Sequence, residues 1–372
     1  MNFEFSEEQL MLREQARGFL QQHCPPATTR AVLDGEQTYD DTLWQRVADM
    51  GWMATTIPEQ YGGLGLSHYE LAIIAEELGR AVSPLPFSSS VYLATEAIIL
   101  YGTEDQKARW LPSLATGDTI ATFALAERPG QTSESSIQTR YREGTLHGQK
   151  QPVADGQIAQ LVITVAKSID DEVQLCACEL HQDTVSQQPL RTLDFSRGHS
   201  AIDFTGAQAE RLSGTAVTWA SVERLLDRAA VLTAWEQLGL AEVALEQACD
   251  YAKQRYAFGR PIGSFQAIKH KLAGMYVKNT LARSNAYFGV WALASDSEQL
   301  PLAAATARVA AIQASLTASQ ENIQTHGGVG FTWEYDSQFY YRRAKLLSLN
   351  LGSERHWQNR LVAHLQHQTS AA

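Results

Sequence analysis

Cysteine is scarce. Cys24, Cys176, Cys178 and Cys249 are the four in a chain of 372 residues. A Cys-x-Cys pair alone makes neither a zinc site nor a redox pair, and so few thiols point to a reduced, cytoplasmic protein. Positive charge is also in short supply. Thirty Lys and Arg stand against 41 Asp and Glu, for a net charge of -11, and no long basic run interrupts the acidic balance. That excludes nucleic acid and anionic membrane as expected partners. No apolar run is long enough to span a bilayer. The first residues, Met1-Asn-Phe-Glu-Phe-Ser-Glu-Glu8, place acid where a targeting peptide carries base. The loop Tyr61-Gly-Gly-Leu-Gly-Leu-Ser67 is rich in glycine, but no Lys-Ser/Thr follows it, so it is not a P-loop. No solenoid-type repeat is visible.

What is present is apolar content: 44% of the residues are hydrophobic. That is ample for a large core and for two or three domains. Ser6-Glu-Glu-Gln-Leu10 reads as an N-cap with an acidic first turn, followed by apolar positions at Leu10, Leu12, Ala16 and Leu20. A second helix is expected from Thr42 to Met50, and a third from His68 to Arg80. The pattern changes near Thr122. Runs such as Leu161-Val-Ile-Thr-Val165 and Val173-Gln-Leu-Cys-Ala177, separated by polar and glycine-containing turns, are those of a small antiparallel β domain. Helical periodicity returns at Trp219. The stretch Leu302 to Ser319 is dense in alanine, which lets helices approach closely, as in the core of a bundle. The expected organisation is α+β: a helical domain over 1–120, a central β domain over 121–217 and a C-terminal helical bundle over 218–372.

The most informative stretch is Tyr251-Ala-Lys-Gln-Arg-Tyr-Ala-Phe-Gly-Arg-Pro-Ile-Gly-Ser-Phe-Gln-Ala-Ile-Lys-His-Lys271. A helix with apolar positions at Leu240, Ala244, Ala248 and Ala252 runs into it, and Gly259 and Pro261 are expected to break that helix. Arg255 and Phe258, three apart, are expected on one face of its last turn. A guanidinium beside an aromatic ring suits a ligand with both a phosphate and a flat base. An ordinary helical hairpin with a capping arginine is the structural alternative.

The pattern Arg-x-x-Phe-Gly-x-Pro-Ile-x-x-Phe-Gln-Ala-Ile-Lys-His resembles the C-terminal signature of the acyl-CoA dehydrogenases, FAD enzymes that desaturate acyl-CoA thioesters between Cα and Cβ. Gly102 to Gly117 and Glu76-Glu-Leu-Gly-Arg80 resemble the N-terminal half of the same family. The resemblance implies helical domain, β domain and four-helix bundle in that order, FAD as cofactor, an acyl-CoA substrate and an electron-transfer flavoprotein as acceptor. It places Arg255 and Phe258 at the pyrophosphate and adenine of FAD, with Gln266 in the matching Phe-Gln position. Gln324-Thr-His-Gly-Gly328 matches a second family motif, which adds Gln324, Gly327 and Gly328 to the cofactor contacts. Alone, Gly327 also reads as a helix C-cap. In the family these groups reach FAD held mainly by a neighbouring subunit.

The same resemblance shows departures. The threonine that bonds the flavin in the family falls on Ala126, and the Trp-Ile-Thr stretch that stacks on it falls on Pro152-Val153-Ala154. The glutamate base of many members falls on Leu351, and the alternative base position falls on Ala229, with Ala230 beside it. Glu236, seven residues further along the helix, is the first candidate for a displaced base, and Glu354, three past Leu351, is a second. Glu127 reads as structural. All five departures, Ala126, Pro152, Ala154, Ala229 and Leu351, fall at the flavin ring or the base, while the nucleotide-end residues are kept. Some bacterial acyl-CoA dehydrogenases are heterotetramers of two different chains, several acting on CoA esters of steroid side chains. Pro152 to Gly156 and Gly330-Phe-Thr-Trp-Glu-Tyr335 are similar to that subset. The leading expectation is a subunit that lends nucleotide contacts to FAD held by a partner. The alternatives are a self-sufficient homotetramer using Glu236, and a structural paralogue that binds no flavin.

Overall fold

A computed structural model describes residues 5–35 and 37–371. Helices α1 (Glu7–His23), α2 (Pro26–Leu33), α3 (Asp41–Asp49) and α4 (His68–Arg80) come first. A π-helical stretch, Ser88–Thr95, leads into α5 (Glu96–Tyr101) and α6 (Glu104–Ala115). The strands are β1 (Ala121–Ala124), β2 (Arg140–Arg142), β3 (Thr145–Ala154), β4 (Leu161–Lys167), β5 (Val173–Glu179), β6 (Val185–Leu190), β7 (His199–Gln208) and β8 (Glu210–Arg211). Then follow α7 (Trp219–Gln254), a short hairpin of β9 (Tyr256–Ala257) and β10 (Arg260–Pro261), α8 (Gln266–Ala294), α9 (Leu300–His326), α10 (Ser337–Leu347) and α11 (Glu354–Ala371).

By compactness the chain divides into two units. One contains the chain up to Thr29, His68–Ser83 and everything from Ala230 onward. The other contains Arg30–Ser67 and Pro84–Ala229. Changes of secondary structure do follow the sequence reading: the last helix before the sheet ends at Ala115 and α7 begins at Trp219.

In the first unit the Ser6 cap is a full capping box, with the Ser6 hydroxyl accepting from Gln9 N and the Gln9 side chain accepting from Ser6 N. The alanine-rich α9 does what its composition predicts. Ala303, Ala304, Ala305, Ala307, Ala311 and Ala318 are fully buried, and a Cβ at Gly289 of α8 would lie 3.2 Å from the Ala307 methyl. The Ala307 methyl therefore packs directly on the α8 backbone at Gly289. Glu76, Glu77 and Glu242 meet Arg13, Arg17, Arg80 and Arg283 where α1, α4, α7 and α8 approach one another. Glu76 and Glu77 are almost wholly buried, so this network is what makes their charge tolerable in the core.

In the second unit the strands form an eight-stranded sheet in the order β6-β7-β3-β2-β4-β5-β8, with β1 beside β4. The expectation of an antiparallel domain is corrected in part. β1 and β2 both pair β4 in parallel, because the chain returns to β4 by crossovers and not by hairpins. Cys176 and Cys178 lie on one face of β5, both buried, and burial pushes the Cys178 thiol up to about 12. These thiols are packing groups.

Candidate cofactor site

Four segments converge at one end of the first unit: the end of α7, the β9–β10 hairpin, the start of α8 and the end of α9. The Tyr251 ring stacks on His326 at 4.2 Å, Lys271 pairs with Glu321 at 2.6 Å, and the Gly263 position packs against Ala252 of α7. Arg255, Gln266 and Gln324 are all exposed here, in elements tied together by these contacts. His326 shares a hydrogen with the Asn322 carbonyl through Nδ1 at 2.9 Å, which fixes the ring against Tyr251.

The hairpin corrects one expectation. Arg255 and Phe258 do not share a helical turn. α7 stops at Gln254, and Ile262 N donates back to Arg255 O at 2.8 Å, closing a two-residue turn at Phe258-Gly259. Both turn residues are left-handed, Phe258 at φ 53° and Gly259 at φ 77°. Successive positive φ values match the type I′ turn, which favours Asn-Gly. A bulky residue pays about 1–2 kcal/mol for that conformation. Phe258 nevertheless holds it with its ring 96% exposed. Its ring meets that of Phe265 edge-on at 6.3 Å, and a strained aromatic left this exposed answers to a ligand or partner.

Gly327 ends α9 as the C-cap, its N–H donating to Gln324 O and Ile323 O. Its φ of 68° and ψ of -141° belong to glycine alone. A Cβ at Gly327 or Gly328 would meet nothing, so the backbone there is bare to any ligand. α8 starts with no acid in its first turn and continues to Lys269 and His270, leaving its positive pole uncancelled. Exposed guanidinium, exposed ring, two amides, bare backbone and a helix N-terminus together form a surface suited to a dinucleotide's phosphates and base. The residues at this end fit FAD.

The residues expected at the flavin ring are brought together but do not fit it. Gln151 N donates to Ala126 O at 2.8 Å, so Ala126 and the Pro152–Ala154 stretch lie side by side in the second unit. Neither offers a hydroxyl or an aromatic face. Behind them the sequence conceals a polar cluster. Asp155 follows Ala154, is buried at φ 54°, and accepts from Ser89 Oγ at 2.6 Å. The buried Arg197 guanidinium lies 3.7 Å from that carboxylate and also donates to Ser88 Oγ. Both serines sit in the π-helical stretch, a feature that marks functional sites when it recurs. The one signal in the sequence was Asp155-Gly156 after the altered motif.

Glu127 is held as a structural acceptor by Gln138 N, Thr139 N and Lys150 Nζ, the last at 3.0 Å. Burial pushes its carboxyl up, but Lys150 and these donors outweigh that and set it below the usual range. Lys150 is fully buried, also donating to Leu125 O, and burial pushes its ammonium down to about 8. The sign of the linkage follows. Below pH 8 the cost of burying the ammonium is fully present, and it is relieved as pH rises from 8 towards the unfolded value of 10.5. Stability of the wild type relative to Lys150→Met is therefore expected to climb over that window, by up to about 3 kcal/mol, in urea unfolding at stepped pH. A flat difference would show that Lys150 keeps its ordinary pKa in the fold, the ion pair with Glu127 offsetting its burial.

At the base positions, Ala229 is fully buried and Leu351 is half-buried at φ 62°. The turn before Leu351 is clamped by Arg308, wholly buried, whose Nη2 donates to Leu347 O and, at 2.7 Å, to Asn350 O, while Nη1 donates to Gln237 Oε1. Burial pushes this guanidinium down to about 9, against the field of Glu236. Glu236 itself is buried 3.5 Å from Arg343 Nη1, and Arg343 also donates to Ser83 O. Glu354 accepts from Gln313 and Gln358 on the surface.

Comparison with known proteins identifies the family. The profile of the family described as acyl-CoA dehydrogenase, N-terminal domain, matches residues 6–118, and that of its C-terminal domain matches residues 219–364. The acyl-CoA dehydrogenase IpdE2 of Mycolicibacterium smegmatis is 32% identical over 97% of this chain and 99% of its own length. Its namesake from Mycobacterium tuberculosis is 34% identical over 91% of each chain. Among solved structures, the ChsE4-ChsE5 complex from Mycobacterium tuberculosis superposes with a TM-score of 0.90 at 25% identity, covering 98% of this chain and 99% of the other. A steroid acyl-CoA dehydrogenase variant, Tcur3481-Tcur3483, gives 0.88 at 27%, with the same coverage.

Proposed function

Because the chain belongs to the acyl-CoA dehydrogenase family, we propose that it works as one subunit of a heteromeric acyl-CoA dehydrogenase, lending nucleotide contacts to FAD while a second chain supplies the catalytic base. One observation carries this reading: the two halves of the cofactor site differ in kind. The nucleotide end is bare, cationic and strained in favour of a ligand. The ring and base positions, Ala126, Pro152, Ala154, Ala229 and Leu351, hold no hydroxyl, aromatic ring or carboxylate.

FAD, when bound, supplies the acceptor for the hydride leaving Cβ of the thioester. The tasks of this chain's residues are narrower. Arg255 would neutralise diphosphate with its exposed guanidinium. Phe258 offers a flat apolar face to the adenine. Gln266 and Gln324 provide amide bonds, and Gly327 and Gly328 let the backbone come close. Glu236 is read as a structural partner. A base must release its carboxylate to the substrate, and doing so here would strip Arg343 of a buried counter-ion. The two-component names among the similar structures support a paired enzyme, and the steroid dehydrogenase among them supports a CoA ester of a steroid-derived acyl group as substrate. An electron-transfer flavoprotein is the proposed acceptor.

The test is the visible spectrum and native mass of the chain purified alone and co-expressed with an acyl-CoA dehydrogenase chain encoded beside it. The lone chain is expected to be colourless, and the pair to carry about one FAD per heterodimer. A yellow homotetramer with one FAD per subunit would overturn the reading.

A further inference from the structure

A cleft of about 310 Å³ lies in the first unit, where α1, α2, α4, α7 and α10 come together. That is the size of a small-molecule site, and it shares no residue with the cofactor surface. Its walls are apolar at Leu20, Val82, Val243 and Phe339. Val82 is the strained point. It is buried at φ 46°, a left-handed conformation that makes a β-branched residue a genuine outlier. Strain of this kind collects where a ligand is held.

One side of the cleft is the C-terminal pole of α4. Beyond the helix its carbonyls are met by side chains of other elements. Tyr340 Oη donates to Arg80 O at 3.2 Å, Thr29 Oγ1 donates to Val82 O at 3.2 Å, and Cys24 Sγ lies 4.0 Å from Ala81 O. All three side chains line the cleft. The negative end of a helix dipole favours a cation at its last turn. Arg17 and Arg80 line the cleft as well, but their charge is already met. Glu77 holds Arg17 through two bonds, at 3.0 and 2.7 Å, and Arg80 reaches Glu77, Glu242 and Glu246, the last at 2.8 Å. Glu246 and Asp336 bring two more carboxylates to the lining. Their field reaches Tyr340. Burial pushes this phenol up, Arg80 opposes it, and Asp336 and Glu246 add to it. The rings of Phe339 and Tyr340 offer faces suited to a cation.

We propose that this cleft binds a small organic ammonium ion, a primary amine on an apolar body about the size of an arylethyl group. The ammonium would sit at the end of α4 with Glu246 and Asp336, and the apolar body would lie against Leu20, Val82 and Phe339. An anion of the same shape meets guanidiniums already bound by carboxylates, together with the negative pole of α4. A neutral molecule gains the apolar wall and forgoes the charge, so charge sets the ranking among ligands of one shape. The site is independent of the heteromeric assignment, because every residue in it belongs to the first unit of this chain.

The test uses the full-length chain with three probes of similar size: phenethylammonium, 2-phenylethanol and phenylacetate. Calorimetry gives the affinities, and saturation-transfer NMR confirms contact. Phenethylammonium is expected to bind at least about tenfold more tightly than 2-phenylethanol, the effect of one charge-assisted contact, with phenylacetate weakest. The chain is acidic, with a net charge of -11, so a cation gathers weakly anywhere on it and the variants decide the site. Glu246→Gln with Asp336→Asn, neither in the buried core, should abolish the preference for the amine and leave 2-phenylethanol where it was. Val82→Gly tests the shape. Glycine suits the left-handed position, so the fold is kept, while loss of the wall should weaken amine and alcohol alike severalfold. Phenylacetate binding more tightly than the amine would overturn the proposal in favour of an anion at Arg17 and Arg80. Amine affinity unchanged in both variants would place the binding elsewhere and overturn it, as would the absence of binding by all three probes at about 10 mM. None of these results bears on the flavin content of the co-expressed pair, by which the heteromeric reading is judged.

Discussion

Gly239→Ala is expected to leave little folded protein. At this position α7 crosses α4 backbone to backbone. A Cβ on Gly239 would lie 2.0 Å from Glu76 O and 3.0 Å from Arg80 N, and reciprocally a Cβ on Gly79 would lie 1.9 Å from Glu236 O. Both obstacles are main-chain atoms of long helices, so no side-chain rotation relieves them. The helices must move apart, and the densely packed core around Leu240, Ala241 and Ile74 must open with them. Separation also pulls Glu76 and Glu77 away from Arg283, Arg13 and Arg17, leaving carboxylates buried without their partners. A single methyl group thereby acquires the cost of overpacking plus part of the ion network, upwards of about 3 kcal/mol and about 4 °C or more in thermal midpoint. Gly274→Ala is the control. It lies inside α8, a Cβ there would meet nothing within 4 Å, and its φ is helical. Alanine at that position is expected to be neutral or to stabilise by up to about 1 kcal/mol. A Gly239→Ala protein melting within the error of the wild type would show that the crossing has slack.

Neither glycine drew notice in the sequence, and the reason is general. Periodicity reports which face of a helix is apolar, and on that basis α7 was legible from Leu240, Ala244, Ala248 and Ala252, all of which are buried. It does not report which helix lies opposite, so the reciprocal contact of Gly79 with Glu236 and of Gly239 with Glu76 could not be read. The same limit hid the polar interior. Arg308, Gln237, Leu347 and Asn350 are scattered over more than a hundred positions yet form one clamp, as do Ser89, Asp155 and Arg197. Local signals did better where the chemistry was local: the Ser6 cap, a helix within one residue of the expected 42–50 and the buried alanines of α9. The hairpin at Phe258-Gly259 is the instructive error. The spacing of Arg255 and Phe258 fitted a helix, but Pro261 and the two left-handed residues demand a turn, and turn chemistry wins over a period sampled across only four residues. At the cofactor site the family motif supplied the residues. Their exposure and strain, which no spacing conveys, are what mark that end as fit for a ligand.

Arg255→Ala should remove most FAD from the complex, while Glu236→Gln should leave turnover within about twofold and lower stability instead. The contrast is the sharpest available between the two halves of the site. Arg255 is exposed and ends no buried network, so its loss leaves the fold intact. What disappears is a charge-assisted contact to diphosphate, about 1.5–3 kcal/mol, or roughly ten- to a hundredfold in affinity. Flavin content after gel filtration, read against an unchanged melting curve of the lone chain, measures it. Phe258→Asn sharpens the point. Asparagine before Gly259 suits a left-handed turn, so the lone chain is expected to gain stability, by up to about 1 kcal/mol, while the complex loses flavin affinity severalfold with the adenine's apolar partner. A change that strengthens the fold and weakens binding identifies strain kept for a ligand. Glu236 behaves oppositely. Glutamine preserves its shape and can still accept from Arg343, but it removes a charge from a buried ion pair, a loss of about a few kcal/mol. A Glu236→Gln enzyme that folds normally, keeps its FAD and loses turnover a hundredfold or more would make Glu236 the base, and the heteromeric assignment would then fall with it. If the variant merely melts earlier, Glu236 is the structural partner of Arg343 and not the base.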